Sequence, residues 1–119
     1  MAYIDIDDRN KVGANKGGVK KISVTVAKDA SSGETVVAMN LKTVQMLFVV
    51  PDLTSSHTAE LLIQNEDNED LYASTELGES TTHSLVVTRR LVGDIAFKVE
   101  TSASETAAAV EFTIYIYFE

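Results

Sequence analysis

VEFTIYIYFE, residues 110–119, alternates without a break. Val110, Phe112, Ile114, Ile116 and Phe118 share one face, and Glu111, Thr113, Tyr115, Tyr117 and Glu119 share the other. A period of two marks a strand with one buried face, because successive side chains leave opposite sides of a pleated backbone. A terminal strand is usually tied into a sheet, so this segment is expected to be structural.

The same period extends through the chain. KISVTVAK (21–28) puts Ile22, Val24 and Val26 on one face. DASSG (29–33) is turn chemistry, and ETVVAMNL (34–41) resumes a strand. TVQMLFVV (43–50) is apolar on both faces, as a strand covered on both sides would be. Pro51, the only proline, ends it because it has no amide to give a ladder. AELLIQN (59–65), DLYAST (70–75), HSLVVT (83–88) and GDIAFKVET (93–101) are further strands, and SASETAAA (102–109) is a small-residue connection. No window carries a helical stripe over three turns. Short strands with turn signals between them predict an all-β fold: an antiparallel β-sandwich or jelly-roll-like domain over residues 20–119. Residues 1–19 are different. DDRNKVGANKGGV (7–19) has three glycines, two asparagines and no periodicity, which predicts an extended N-terminal arm.

The 119 residues are one domain's worth. The absence of cysteine excludes disulfide scaffolds, thiolate metal sites and cysteine nucleophiles. No stretch approaches the roughly 20 apolar residues of a membrane span. MAYIDIDDRNK (1–11) carries carboxylates where a signal peptide needs a basic and then an apolar region, so synthesis in the cytoplasm is expected. The net charge of −8 is uneven. Residues 1–28 hold six basic groups against three acids, and residues 29–119 hold four against fifteen. The body is too acidic to favour a phosphate backbone, so nucleic acid is not an expected partner.

The motifs that invite chemistry fail on spacing. NEDNED (65–70) is rich in oxygen ligands, but a helix–loop–helix calcium loop needs glycine where Asp70 stands, and the flanks are strands. A hairpin with an acidic tip is the expected form, with calcium at Asn65, Asp67 and Glu69 as the reading it displaces. In GANKGGVK (13–20), Val19 and Lys20 stand where a phosphate loop needs lysine and then serine or threonine. His57 and His83 flank strands in hydroxyl-rich loops and are expected at the surface. No nucleophile elbow accompanies them. The expectation is no catalytic residue, no metal and no cofactor. Two features point to contacts with proteins instead. Tyr115 and Tyr117 sit on the outer face of the last strand, and Phe48 lies in the strand with two apolar faces. These three are the candidate self-association residues. In the locally basic arm, Arg9, Lys11, Lys16 and Lys20 are the candidate partner contacts.

The second half, AELLIQNEDNEDLYAST, then VTRRLVGDIAFKVETS, an alanine-rich link and VEFTIYIYFE, resembles small structural proteins of tailed bacteriophage virions. In these proteins a strand, an acidic tip, a return strand of R-x-L/V-x-G type and an aromatic terminal strand follow one another. Here the return element is Arg89-Arg90-Leu91-Val92-Gly93. The resemblance covers roughly residues 59–119. It implies a non-enzymatic capsid decoration or cement protein on the virion surface, binding the major capsid protein as a homo-oligomer, with a trimer favoured, and gripping the shell through the arm. A β-sandwich module for a glycan or protein ligand, with or without calcium, and another virion position such as a head–tail joint or tail component stay open as alternatives.

Overall fold

A computed structural model of the chain describes residues 17–119. Among these residues there are seven strands: β1 Gly18–Val26, β2 Ser32–Val50, β3 Ala59–Gln64, β4 Asp70–Ala73, β5 Thr81–Leu85, β6 Arg90–Thr101 and β7 Val110–Phe118. A single 3-10 turn, Thr54–Ser56, follows Pro51. Every strand pairing is antiparallel.

The two strands expected at 34–41 and 43–50 are one strand of 19 residues. Its first part, Ser32 to Lys42, pairs with β6. Its second part pairs with β7 on one side and β5 on the other. The chain is therefore a sandwich of two four-stranded sheets that share β2. The first runs β1–β7–β2–β5 and the second β2–β6–β3–β4.

A bulge makes the sharing possible. The register slips between Thr43 and Gln45, so Val44 is the extra residue. Before the slip the buried positions are odd (Met39, Leu41, Thr43), and after it they are even (Met46, Phe48, Val50). A bulge adds one residue to one strand and bends it. The shift in phase lets the strand change sheets while still facing the same core. The face of 43–50 that carries Leu47 and Val49 is only half-buried, so this strand is not covered on both sides.

Thr43 holds the corner. It is fully buried. Its Oγ1 lies 2.6 Å from the Val87 carbonyl and 2.7 Å from the Arg89 carbonyl, close enough to donate its one proton to either. The same oxygen accepts the Arg89 amide at 2.9 Å. Thr43→Val keeps the shape and leaves these backbone groups short of a partner. It should cost about 1–3 kcal/mol. The measurement is the urea midpoint, which should fall at unchanged slope.

The inward sets match the alternation expected for 21–28, 93–101 and 110–119. Ile22, Val24 and Val26, then Ile95, Phe97 and Val99, then Phe112, Ile114 and Ile116 are all in the core. β1 begins at Gly18, so Gly18 and Val19 belong to a sheet and not to the arm. β1 also closes one side of the sandwich against the start of β2. Thr35 Oγ1 donates to the Ser23 carbonyl at 2.6 Å. A Cβ at Gly33 would collide with the Thr25 carbonyl oxygen, so only glycine permits this approach.

Candidate functional site

The two outer faces differ in chemistry. On the first sheet the outward residues line up in rows across the strands. Val19, Tyr117 and Gln45 form one row; Lys21, Tyr115, Leu47 and Ser84 the next; Ser23, Thr113, Val49 and Thr82 a third; and Thr25 with Glu111 a fourth. The central rows hold apolar, aromatic and hydroxyl groups. Val19 is 55% exposed and Tyr117 37%. On this grid the charges are Lys21 and Glu111, in different rows.

The second sheet is acidic outside. Glu34, Asp94, Glu60 and Glu100 are exposed there, and Glu60 stands directly opposite Glu100. Like charges in cross-strand register oppose pairing by a few tenths of a kcal/mol or more. A small cleft between Glu60, Glu76 and Glu100 is completed by Thr58, Thr101 and Ser102. Among the described residues, no group of three His, Asp or Glu side chains is arranged to hold a metal ion.

The expected acidic hairpin joins β3 to β4, with residues 65–69 at its tip. Asn65 organises it. Its Oδ1 accepts the Asp67 amide at 2.9 Å and the Glu69 amide at 3.0 Å, and its Nδ2 donates to Glu69 Oε1 at 2.7 Å. This is a side-chain-closed turn. It commits the oxygen that a calcium ion at Asn65, Asp67 and Glu69 would need. Across from the tip, Gly93 has a φ of +92°, and Glu66 Oε1 would lie 2.8 Å from a Cβ there. The glycine that closes the Arg89–Gly93 element is thus required by backbone angle and by the hairpin beside it.

The histidines differ from expectation. His83 is half-buried, with Nε2 2.8 Å from the Gly78 carbonyl. His57 is largely enclosed and meets a carboxylate that has no exposed surface, Glu105, with Nδ1 2.6 Å from Oε2. An ionised carboxylate only accepts, so Nδ1 carries the proton. Glu105 Oε1 also accepts the Thr54 amide at 2.8 Å. Its own backbone is held as well: the Asp29 amide donates to its carbonyl at 2.8 Å and its amide donates to the Ala30 carbonyl at 2.9 Å. Burial raises the Glu105 pKa, but the hydrogen bonds from Thr54 and His57 and the charge of His57 outweigh it and hold the carboxyl below the ordinary glutamate value. Carboxylate and imidazole make half of a hydrolytic triad. Among the described residues, no hydroxyl bonds to this ring. The pair joins three connections, at 29–31, 51–58 and 102–109. An open groove of about 400 Å³ lies beside it, lined by Pro51, Leu53, Glu105, Ala107, Ala108 and Val110 among others.

Of the candidate site residues, Tyr115 and Tyr117 lie together on the outer face of the first sheet. Phe48 does not join them. It is fully buried, with its ring 5.7 Å from that of Phe112 and nearly parallel to it. The bulge at Val44 turns Phe48 inward and Leu47 and Val49 outward, so those two residues share the outer face with the tyrosines. Lys20 is in β1 opposite Ile116, half-exposed. Arg9, Lys11 and Lys16 lie outside the described residues.

No protein-family model matches the chain, and a search of curated proteins finds no match. Among solved structures, similarity is found to infectious bursal disease virus particles. The Gx strain structure matches at 10% identity and a TM-score of 0.34, covering 98% of this chain and 36% of that one. The VP2 subviral particle of the same virus matches at 9% identity and a TM-score of 0.35, covering 98% of this chain and 37% of that one. This chain thus spans little more than a third of the length of these capsid structures. At such values the likeness carries no functional argument.

Proposed function

We propose that this chain is a non-enzymatic virion structural protein of the decoration or cement kind, which binds a capsid shell and assembles as a homo-oligomer. The observation that carries the reading is the outer face of the first sheet. It is a flat, mostly uncharged surface of Val19, Tyr117, Tyr115, Leu47 and Val49, backed by a sandwich whose other outer face is acidic. An amphipathic face of this kind suits a protein–protein contact, where tyrosine offers apolar area with a polar tip. The sequence resemblance over residues 59–119 supports the virion setting. Its elements fall on the β3–β4 hairpin, on β6 and on β7. The arm, with Arg9, Lys11, Lys16 and Lys20, is the proposed grip on the shell, and the resemblance implies a trimer.

The test is to label the protein and locate it on purified particles. Many copies spread over the head are expected. A label confined to the tail or joint, or absent from the particle, overturns the reading. Removing residues 1–16 should leave the melting temperature within a few degrees and weaken shell binding at least about tenfold. Undiminished binding of the truncated chain would remove the arm from the account.

A further inference from the structure

We infer that the outer face of the first sheet is a two-fold interface with a second copy of this chain, in which Lys21 of each copy meets Glu111 of the other. The inference rests on the proposed self-association and specifies its geometry. It is carried by the arrangement of charge on the grid. Lys21 lies in the row of Tyr115, and Glu111 lies two rows away, on the far side of the row of Thr113. They are separated by four residues along the strand direction, roughly 13 Å. A lysine and a carboxylate at this spacing cannot pair within one copy.

Now place a second face over the first, with the two-fold axis between them and running across the strands at the Thr113 row. Each strand then lies over its own copy in reverse direction. Thr113 and Val49 meet themselves on the axis. The Tyr115 row of one copy covers the Glu111 row of the other, which brings Lys21 and Tyr115 over the partner's carboxylate. Both charges are matched twice, and the apolar residues cover one another. An isologous contact needs this self-complementarity. Four strands about 4.8 Å apart and four rows about 7 Å apart give roughly 500 Å² per copy, so about 1,000 Å² in all, at the lower end of specific interfaces. Sheets stacked this way lie about 10 Å apart with strands within about 30° of one another, a spacing that a lysine side chain reaches across.

The test uses charge reversal in the full chain, with mass read by sedimentation equilibrium. Wild type should be a dimer. Lys21→Glu alone and Glu111→Lys alone should each raise the dimer dissociation constant at least tenfold, since each places like charges together twice. A one-to-one mixture of the two variants should recover the dimer, because both cross-contacts in the mixed pair are then opposite in sign. A closed ring of three cannot alternate two variants, so recovery of a dimer is specific to the two-fold arrangement. Thermal melts of the variants check that they fold, and a pair that does not fold is replaced by Lys21→Gln and Glu111→Gln, which should weaken the dimer without reversal. A monomeric or trimeric wild type, unaffected single variants, or a mixture that stays dissociated overturns the two-fold contact. So does a dimer that appears only after residues 1–16 are removed, which would show the arm on this face. None of these results bears on where the protein sits on a particle, so the proposed function stands or falls separately.

Discussion

Replacing Glu105 by alanine should destabilise the fold by about 3–5 kcal/mol, the range for removing one partner of a buried charged pair. The carboxylate has no exposed surface, and the loss leaves two donors without their acceptor, the Thr54 amide and His57 Nδ1. Glu105→Gln keeps an oxygen for Thr54 and fills the same space, so its cost should be nearer 1–2 kcal/mol. The difference between the two variants separates lost shape from lost charge. The pH dependence has a definite sign. The folded carboxyl titrates below its ordinary value. Its contribution is therefore complete above the ordinary glutamate range and is lost as pH falls through the depressed value. Wild type should lose stability on acidification through that window, and Glu105→Gln should lose less of it. Chemical denaturation at a series of pH values measures both. Parallel pH curves for wild type and Glu105→Gln would mean that the carboxylate charge contributes nothing.

Phe48→Ala should cost about 3–5 kcal/mol, the range for removing a large aromatic from a packed core. Its ring is fully buried and stacked on Phe112. Such a ring pair adds about 0.5–1.5 kcal/mol beyond buried area. For a chain of this size the melting temperature should fall by roughly 10–20 °C. The contrast with the outer face makes the result informative. Tyr115→Ser, on the half-exposed side of the neighbouring strand, should move monomer stability much less, because surface changes usually stay within about 0.5 kcal/mol. If Phe48→Ala left the melting temperature unchanged and altered only assembly, Phe48 would belong on the surface and the phase of β2 would be reversed.

Alternation was readable wherever a strand keeps one phase. Residues 21–28, 93–101 and 110–119 each point the expected side chains inward, because period-two patterning reflects burial on one face of a sheet. The hairpin at 59–75 was equally readable from its polar tip between two apolar runs. The strand Ser32–Val50 was not. Its inward positions change from odd to even at Val44 and Gln45, so two halves of one strand read as separate strands, and the second half read as doubly covered. The same misreading placed Phe48 outside. A run of 19 residues with no glycine or proline after Gly33 was the available signal. Glu105 was hidden for another reason. Its side-chain partners Thr54 and His57 are 51 and 48 residues away, a distance no local pattern spans. A lone carboxylate in a run of serine, threonine and alanine was the faint cue. The outer face of the first sheet was half legible: the two tyrosines were seen, and Leu47 and Val49 were not.

The long shared strand also bears on how the molecule comes apart. Two sheets connected only by loops can open one after the other, as separate cooperative units. Here the backbone of β2 is a ladder partner of β6 at one end and of β7 and β5 at the other. Fraying in either sheet strips one half of a rod whose other half still holds the opposite sheet. The two halves therefore melt as one unit, and the amides around Thr43 should be the last to exchange with solvent. A particle component that must survive stretching of the lattice beneath it would gain from this, since a pull on one sheet is carried through covalent bonds into the other.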